Sequence, residues 1–96
     1  MKVVPIDEVP ANVLSHPVLT GTVTLQPVID QNTEGNVDGC HIAMVNFEPG
    51  SKNSFHVHNE AQILVVTSGT GIVATEQEEV TVNAGTVIFI PAGENH

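Results

Sequence analysis

Positive charge is almost missing from this chain: Lys2 and Lys52 stand against eleven acidic residues, for a formal net charge of −9 over 96 residues. A surface of that sign repels phosphate backbones and anionic headgroups, so neither nucleic acid nor a membrane is an expected partner. Cysteine is reduced to Cys40, which excludes an internal disulfide and any thiolate cluster for zinc or iron–sulfur, and fits a reducing compartment. Standing alone, Cys40 reads as a small buried hydrophobe in a strand. No apolar run approaches the ~20 residues of a membrane-spanning helix, and the opening Met1–Glu8 has no apolar core of the kind a signal peptide carries. A soluble, cytoplasmic protein is the expectation.

What is present is hydrophobe of a particular kind. Apolar residues make up 41% of the chain and charged residues 14%, a balance that folds and that a disordered segment does not show. Val, Ile and Thr are abundant from Val18 onward, and branching at Cβ suits a pleated strand better than a helix. Eight Gly and six Pro break these runs into short pieces, the punctuation of an all-β chain. The length allows one hydrophobic core.

Residues 1–17, with Pro5, Pro10 and Pro17 and no sustained period, read as an N-terminal arm, and residues 18–96 as the folded domain. An alternating stretch from Leu19 to Ile29 predicts a strand with an edge at Pro27, and the polar segment from Asp30 to Gly39 predicts a surface loop. Cys40 to Phe47 is apolar at both parities and predicts a strand with both faces covered. Glu48-Pro49-Gly50-Ser51 predicts a turn. Short strands follow: Phe55 to His58, Gln62 to Ser68, Gly71 to Thr75, Val80 to Asn83 and Thr86 to Ile90. Strands this short bury their apolar faces by closing into a barrel or stacking as a double sheet.

His56 and His58, two apart on a predicted strand, project from one face. Gln62 opens the next strand across a short turn, where its amide oxygen can serve as a hard donor. Around them, Gly50-SKNSF-His56-Val57-His58-NEA-Gln62-ILVVTS-Gly69 and Gly85-TVIFI-Pro91-Ala92-Gly93-EN-His96 resemble the two motifs of the cupin superfamily, with Gln in the usual place of Glu. The glycines and Pro91 have a structural reading as turn and strand-end residues.

The resemblance implies a cupin fold, a jelly-roll-like double-stranded β-helix barrel, with its last strands beyond His96. It also implies one divalent metal ion on His56, His58, Gln62 and His96, Mn²⁺ or Fe²⁺ first and Ni²⁺ or Zn²⁺ as alternatives. A barrel interior is a costly place for three imidazoles and an amide unless something such as a cation satisfies them. The ligand set, with Thr20–Val23 and Phe47–Gly50, is similar to that of bacterial cupin-type hydroxynitrile lyases, which act at the bond between cyanide and a carbonyl carbon. A metal-dependent lyase acting on a small organic substrate is therefore expected; the alternatives are a non-haem iron dioxygenase and a non-catalytic binding or sensing module. His41 shares strand parity with Ala43 and Val45, so Ala43 and Val45 are expected pocket wall and His41 a candidate catalytic proton carrier. Glu60 and the Glu76–Glu79 run read as solvated turn residues. By resemblance a homodimer is expected, with the arm and the strand near Thr20 at its contact.

Overall fold

A computed structural model describes residues 1–30 and 39–96. Two compact units divide the chain, Met1–Asn53 and Ser54–His96. Both are built of antiparallel strands, and the one helical element among the described residues is a single 3-10 turn at Ile6–Glu8. No helix among them is long and apolar enough to cross a membrane. The loop predicted from Asp30 to Gly39 falls almost entirely outside the described residues.

In the first unit, β1 (Asn12–Val13), β2 (Leu19–Thr20), β3 (Val23–Ile29), β4 (Ile42–Phe47) and β5 (Lys52–Asn53) form a three-stranded sheet, β1-β3-β4, and a two-stranded ribbon, β2-β5. The single strand expected from Leu19 to Ile29 is thus two strands, parted at Gly21. Gly21 has φ +86°, and a Cβ there would collide with the Ser51 side chain, whose Oγ accepts a hydrogen bond from Thr22 N at 2.8 Å. A positive φ and a close backbone approach are both conditions that glycine alone meets easily. At the other end of β3 the register with β4 shifts between Pro27 and Ile29, where proline has no N–H to give the ladder.

The N-terminal arm contributes a strand, a feature its prolines concealed. Asn12 pairs with Leu25 and Val13 with Thr24, while the Gln26 amide donates to Ile6 O and Val9 O, each at 2.9 Å, and accepts from Asn46 Nδ2 at 3.0 Å. A polar cross-strand pair therefore ties the arm to the sheet. The turn expected at Glu48–Ser51 closes as a β-turn, Ser51 N donating to Glu48 O at 2.9 Å with Gly50 at φ +84°.

Two expectations for this unit are corrected. Cys40 is half-buried and precedes β4 instead of lying within it, because pairing with β3 begins only at Ile42 opposite Ile29. Nor is β4 covered on both faces: Ile42, Val45 and Phe47 are each more than 40% exposed. Apolar residues at both parities describe what a strand is suited to bury, whereas cover must come from another layer.

In the second unit, β6 (Gln62–Val65), β7 (Thr70–Ala74), β8 (Glu79–Asn83) and β9 (Val87–Ile90) make two ribbons, β6-β9 and β7-β8. Each matches a predicted strand to within a few residues. Register places Gln62 opposite Ile90 and Leu64 opposite Ile88, so these four share one face. That face is half-buried or buried, while Ile63, Val65, Val87 and Phe89 on the other are exposed. Val82 and Ile90 are the buried hydrophobes of this unit. Gly85, at φ +91°, turns β8 into β9, with Thr86 N donating to Asn83 O at 3.1 Å.

Candidate metal centre

The segment Phe55–His58 is not a regular strand, contrary to its alternating pattern. It pairs instead with the chain's last residues. His56 N donates to His96 O and His96 N to His56 O, both at 3.0 Å, and Gly93 N donates to His58 O at 2.8 Å. Between these points the backbone turns, Glu94 N reaching Pro91 O at 3.3 Å with Gly93 at φ +81°. The turn interrupts the ladder, so the pairing is irregular while the side-chain alternation survives.

That alternation puts the imidazoles of His56 and His58 on one side, their ring centres 4.8 Å apart and edge-on. His96 joins them at 4.6 Å from His56 and 5.3 Å from His58. The three residues offer one nitrogen each within 4.8 Å of one another, a group that could hold a metal ion. At about 2.0–2.1 Å per metal–nitrogen bond, one ion spans such a group after small side-chain movements. Gln62, half-buried at the start of β6, turns its Oε1 to within 3.2 Å of His96 Nε2.

Hydrogen bonds set which nitrogen each ring presents. His56 Nδ1 lies 2.8 Å from Ser54 O and His96 Nδ1 lies 2.9 Å from Glu94 O. A carbonyl oxygen only accepts, so the tautomer with its proton on Nδ1 fits both contacts, and that tautomer leaves Nε2 as the ligand atom. On His96, Nε2 lies beside the Gln62 amide oxygen, and imidazole nitrogen with amide oxygen is a donor set that suits a divalent first-row metal. The orienting carbonyls of Ser54 and Glu94 were invisible to sequence reasoning, because any residue supplies a carbonyl.

Electrostatics favour the neutral ligand form. Partial loss of hydration, then the neighbouring His56 and His96, lower the His58 pKa from its ordinary 6.5. The remaining candidates, His41 immediately before β4 and Ala43 and Val45 on β4, belong to the first unit and are all exposed. Ala43 and Val45 pair with Pro27 and Leu25 and therefore share one face of the β3-β4 sheet with Val23. Glu60 is exposed, as expected. His16 caps a turn, its Nδ1 accepting from Val18 N at 3.2 Å.

A fold of short antiparallel strands carrying three clustered histidines from two glycine-bounded motifs defines a class. Residues 43–96 match the Cupin_2 cupin-domain family, and the chain belongs to that family; its all-β organisation is the one expected. Among curated relatives, the chain is 36% identical over 78 residues to a protein named (R)-mandelonitrile lyase from Granulicella tundricola. The match takes in 80% of this chain and 57% of that relative's length.

Proposed function

We propose that the chain holds one divalent metal ion through His56, His58, Gln62 and His96, and that the site performs lyase chemistry on a small hydroxynitrile. The observation that carries the metal is the group of His56, His58 and His96, one nitrogen each within 4.8 Å of one another, with the Gln62 amide oxygen 3.2 Å from His96 Nε2. The relative's name supports the substrate class. Mn²⁺ or Fe²⁺ fits this oxygen and nitrogen set best, with Ni²⁺ and Zn²⁺ next.

When bound, the ion would supply Lewis acidity toward an anionic oxygen or cyanide; with no carboxylate among its ligating side chains, none of its charge would be neutralised by them. The chain's own part is positional. Ser54 O and Glu94 O orient two rings at Nδ1, which favours the tautomer that presents Nε2, and the backbone pairing of His56 with His96 sets the two residues opposite each other. In the reaction a cyanohydrin breaks its carbon–carbon bond to give an aldehyde and hydrogen cyanide, the hydroxyl proton passing by way of a base to the departing cyanide. His41 is our candidate for that proton carrier, and Ala43 and Val45 for pocket wall. A cytoplasmic homodimer completes the proposal, supported by the apolar side chains left exposed on β4, β6 and β9.

The test is metal analysis of the purified chain, followed by mandelonitrile cleavage with and without added Mn²⁺. Metal-dependent release of benzaldehyde and cyanide is expected. Oxygen consumption with a phenolic or diketone substrate would instead make it a dioxygenase, and a folded chain with no affinity for divalent ions would make it a metal-free binding module.

A further inference from the structure

Glu76 lies at the tip of the β7-β8 turn, in the acidic run that sequence alone assigns to solvent. The turn around it is tightly built: Thr75 N donates to Glu78 O at 2.8 Å, and Thr75 Oγ1 accepts from Gln77 N at 3.2 Å and Glu78 N at 3.3 Å. These bonds fix the direction of the intervening residue. From there the Glu76 carboxylate accepts a hydrogen bond from Asn95 Nδ2 at 2.9 Å. Asn95 is half-buried and is the residue next to His96.

We propose that Glu76 is a positioning residue for the metal centre, acting through Asn95 to hold His96 opposite His56 and within reach of Gln62. The inference rests on the metal reading given above. Backbone bonds anchor the returning segment at Gly93 and at His96, and the Asn95 side chain ties the stretch between them to a rigid turn of another ribbon. Glu76 itself stands outside the group of side chains that could share an ion, so its effect passes through geometry and not through ligation.

The experiment uses the full chain, with Mn²⁺ as the only probe. Mn²⁺ affinity is measured by calorimetry for the parent, Glu76→Ala, Asn95→Ala, the double variant and Glu76→Gln, with melting temperatures of the metal-free forms alongside. Amide hydrogen exchange at His56 and His96 is followed without metal. Glu76→Ala and Asn95→Ala should each weaken Mn²⁺ binding by about tenfold, the lower range for losing an outer-shell partner, and the double variant no further. Glu76→Gln keeps the acceptor oxygen and should stay within about twofold of the parent. Exchange at His96 should quicken in Glu76→Ala while the β7-β8 amides stay protected.

Unchanged affinity and unchanged exchange in Glu76→Ala would overturn the proposal, as would a Glu76→Gln variant as weak as Glu76→Ala, which would point to charge instead of position. A parent chain that binds no Mn²⁺ would sink the metal reading alone; the exchange comparison still decides whether Glu76 places His96. If Glu76→Ala does not fold, Asn95→Ala carries the same comparison from the other side of the bond.

Discussion

His56 and His96 face each other as a doubly hydrogen-bonded backbone pair, each N–H donating to the other's carbonyl at 3.0 Å. The two imidazoles are therefore spaced by main chain. Their ring centres lie 4.6 Å apart, and the backbone pairing fixes where the two side chains start.

Because the spacing belongs to the backbone, deleting one ring should remove the ion and leave the fold. His96→Ala is expected to lower Mn²⁺ affinity by more than the ~10–100-fold typical of losing an outer-shell partner, with little change in the metal-free melting temperature. Calorimetry beside thermal melting checks this. A variant that keeps parental affinity would remove His96 from the ligand set.

Gln62 sets the charge of the site. A Gln62→Glu variant puts a carboxylate beside His96 Nε2, where an amide oxygen now sits at 3.2 Å. It should bind Mn²⁺ about tenfold more tightly, equivalent to ~1.4 kcal/mol, while turnover and metal redox potential both fall. Equal potentials in the two forms would show that the neutral amide has no electronic role.

The lowered His58 pKa has a definite sign in stability. In the unfolded chain this imidazole takes its proton near its ordinary 6.5; in the fold it does so only at lower pH, because of lost hydration and the facing His56 and His96. Its contribution is thus present above pH 6.5 and is lost as pH falls through the lowered folded value. Denaturant melts of the metal-free chain should show stability dropping on acidification, less steeply in His58→Ala. Protons compete for the same nitrogens when metal is present, so dialysis should strip the ion below about pH 6.

In the first unit the break between β2 and β3 depends on Gly21. With φ at +86° and Ser51 against the place a Cβ would take, Gly21→Ala should destabilise the chain by about 1–3 kcal/mol. Gly50→Ala, equally positive in φ at +84° but with open space around it, should be the milder of the two. Melting temperatures of the pair separate steric clash from backbone strain.

Much of this protein was determined by its sequence alone. Short apolar, β-branched runs in Gln62–Val65 and Val87–Ile90, bounded by Gly69 and Gly85, specify strands and turns, and side-chain direction along each strand is a local property that repeats every second residue. The same rule brought His56 and His58 to one side without reference to anything distant. Tertiary structure alone decided which segment His56 would pair with, that Ser54 and Glu94 would lend carbonyls to two rings, and that Glu76 would reach Asn95. It also decided that β4, apolar at both parities, would stay exposed. Pairing between remote segments depends on turns such as Pro91–Glu94 and on which layers meet, and backbone donors and acceptors are common to every residue, so no pattern of side chains announces them.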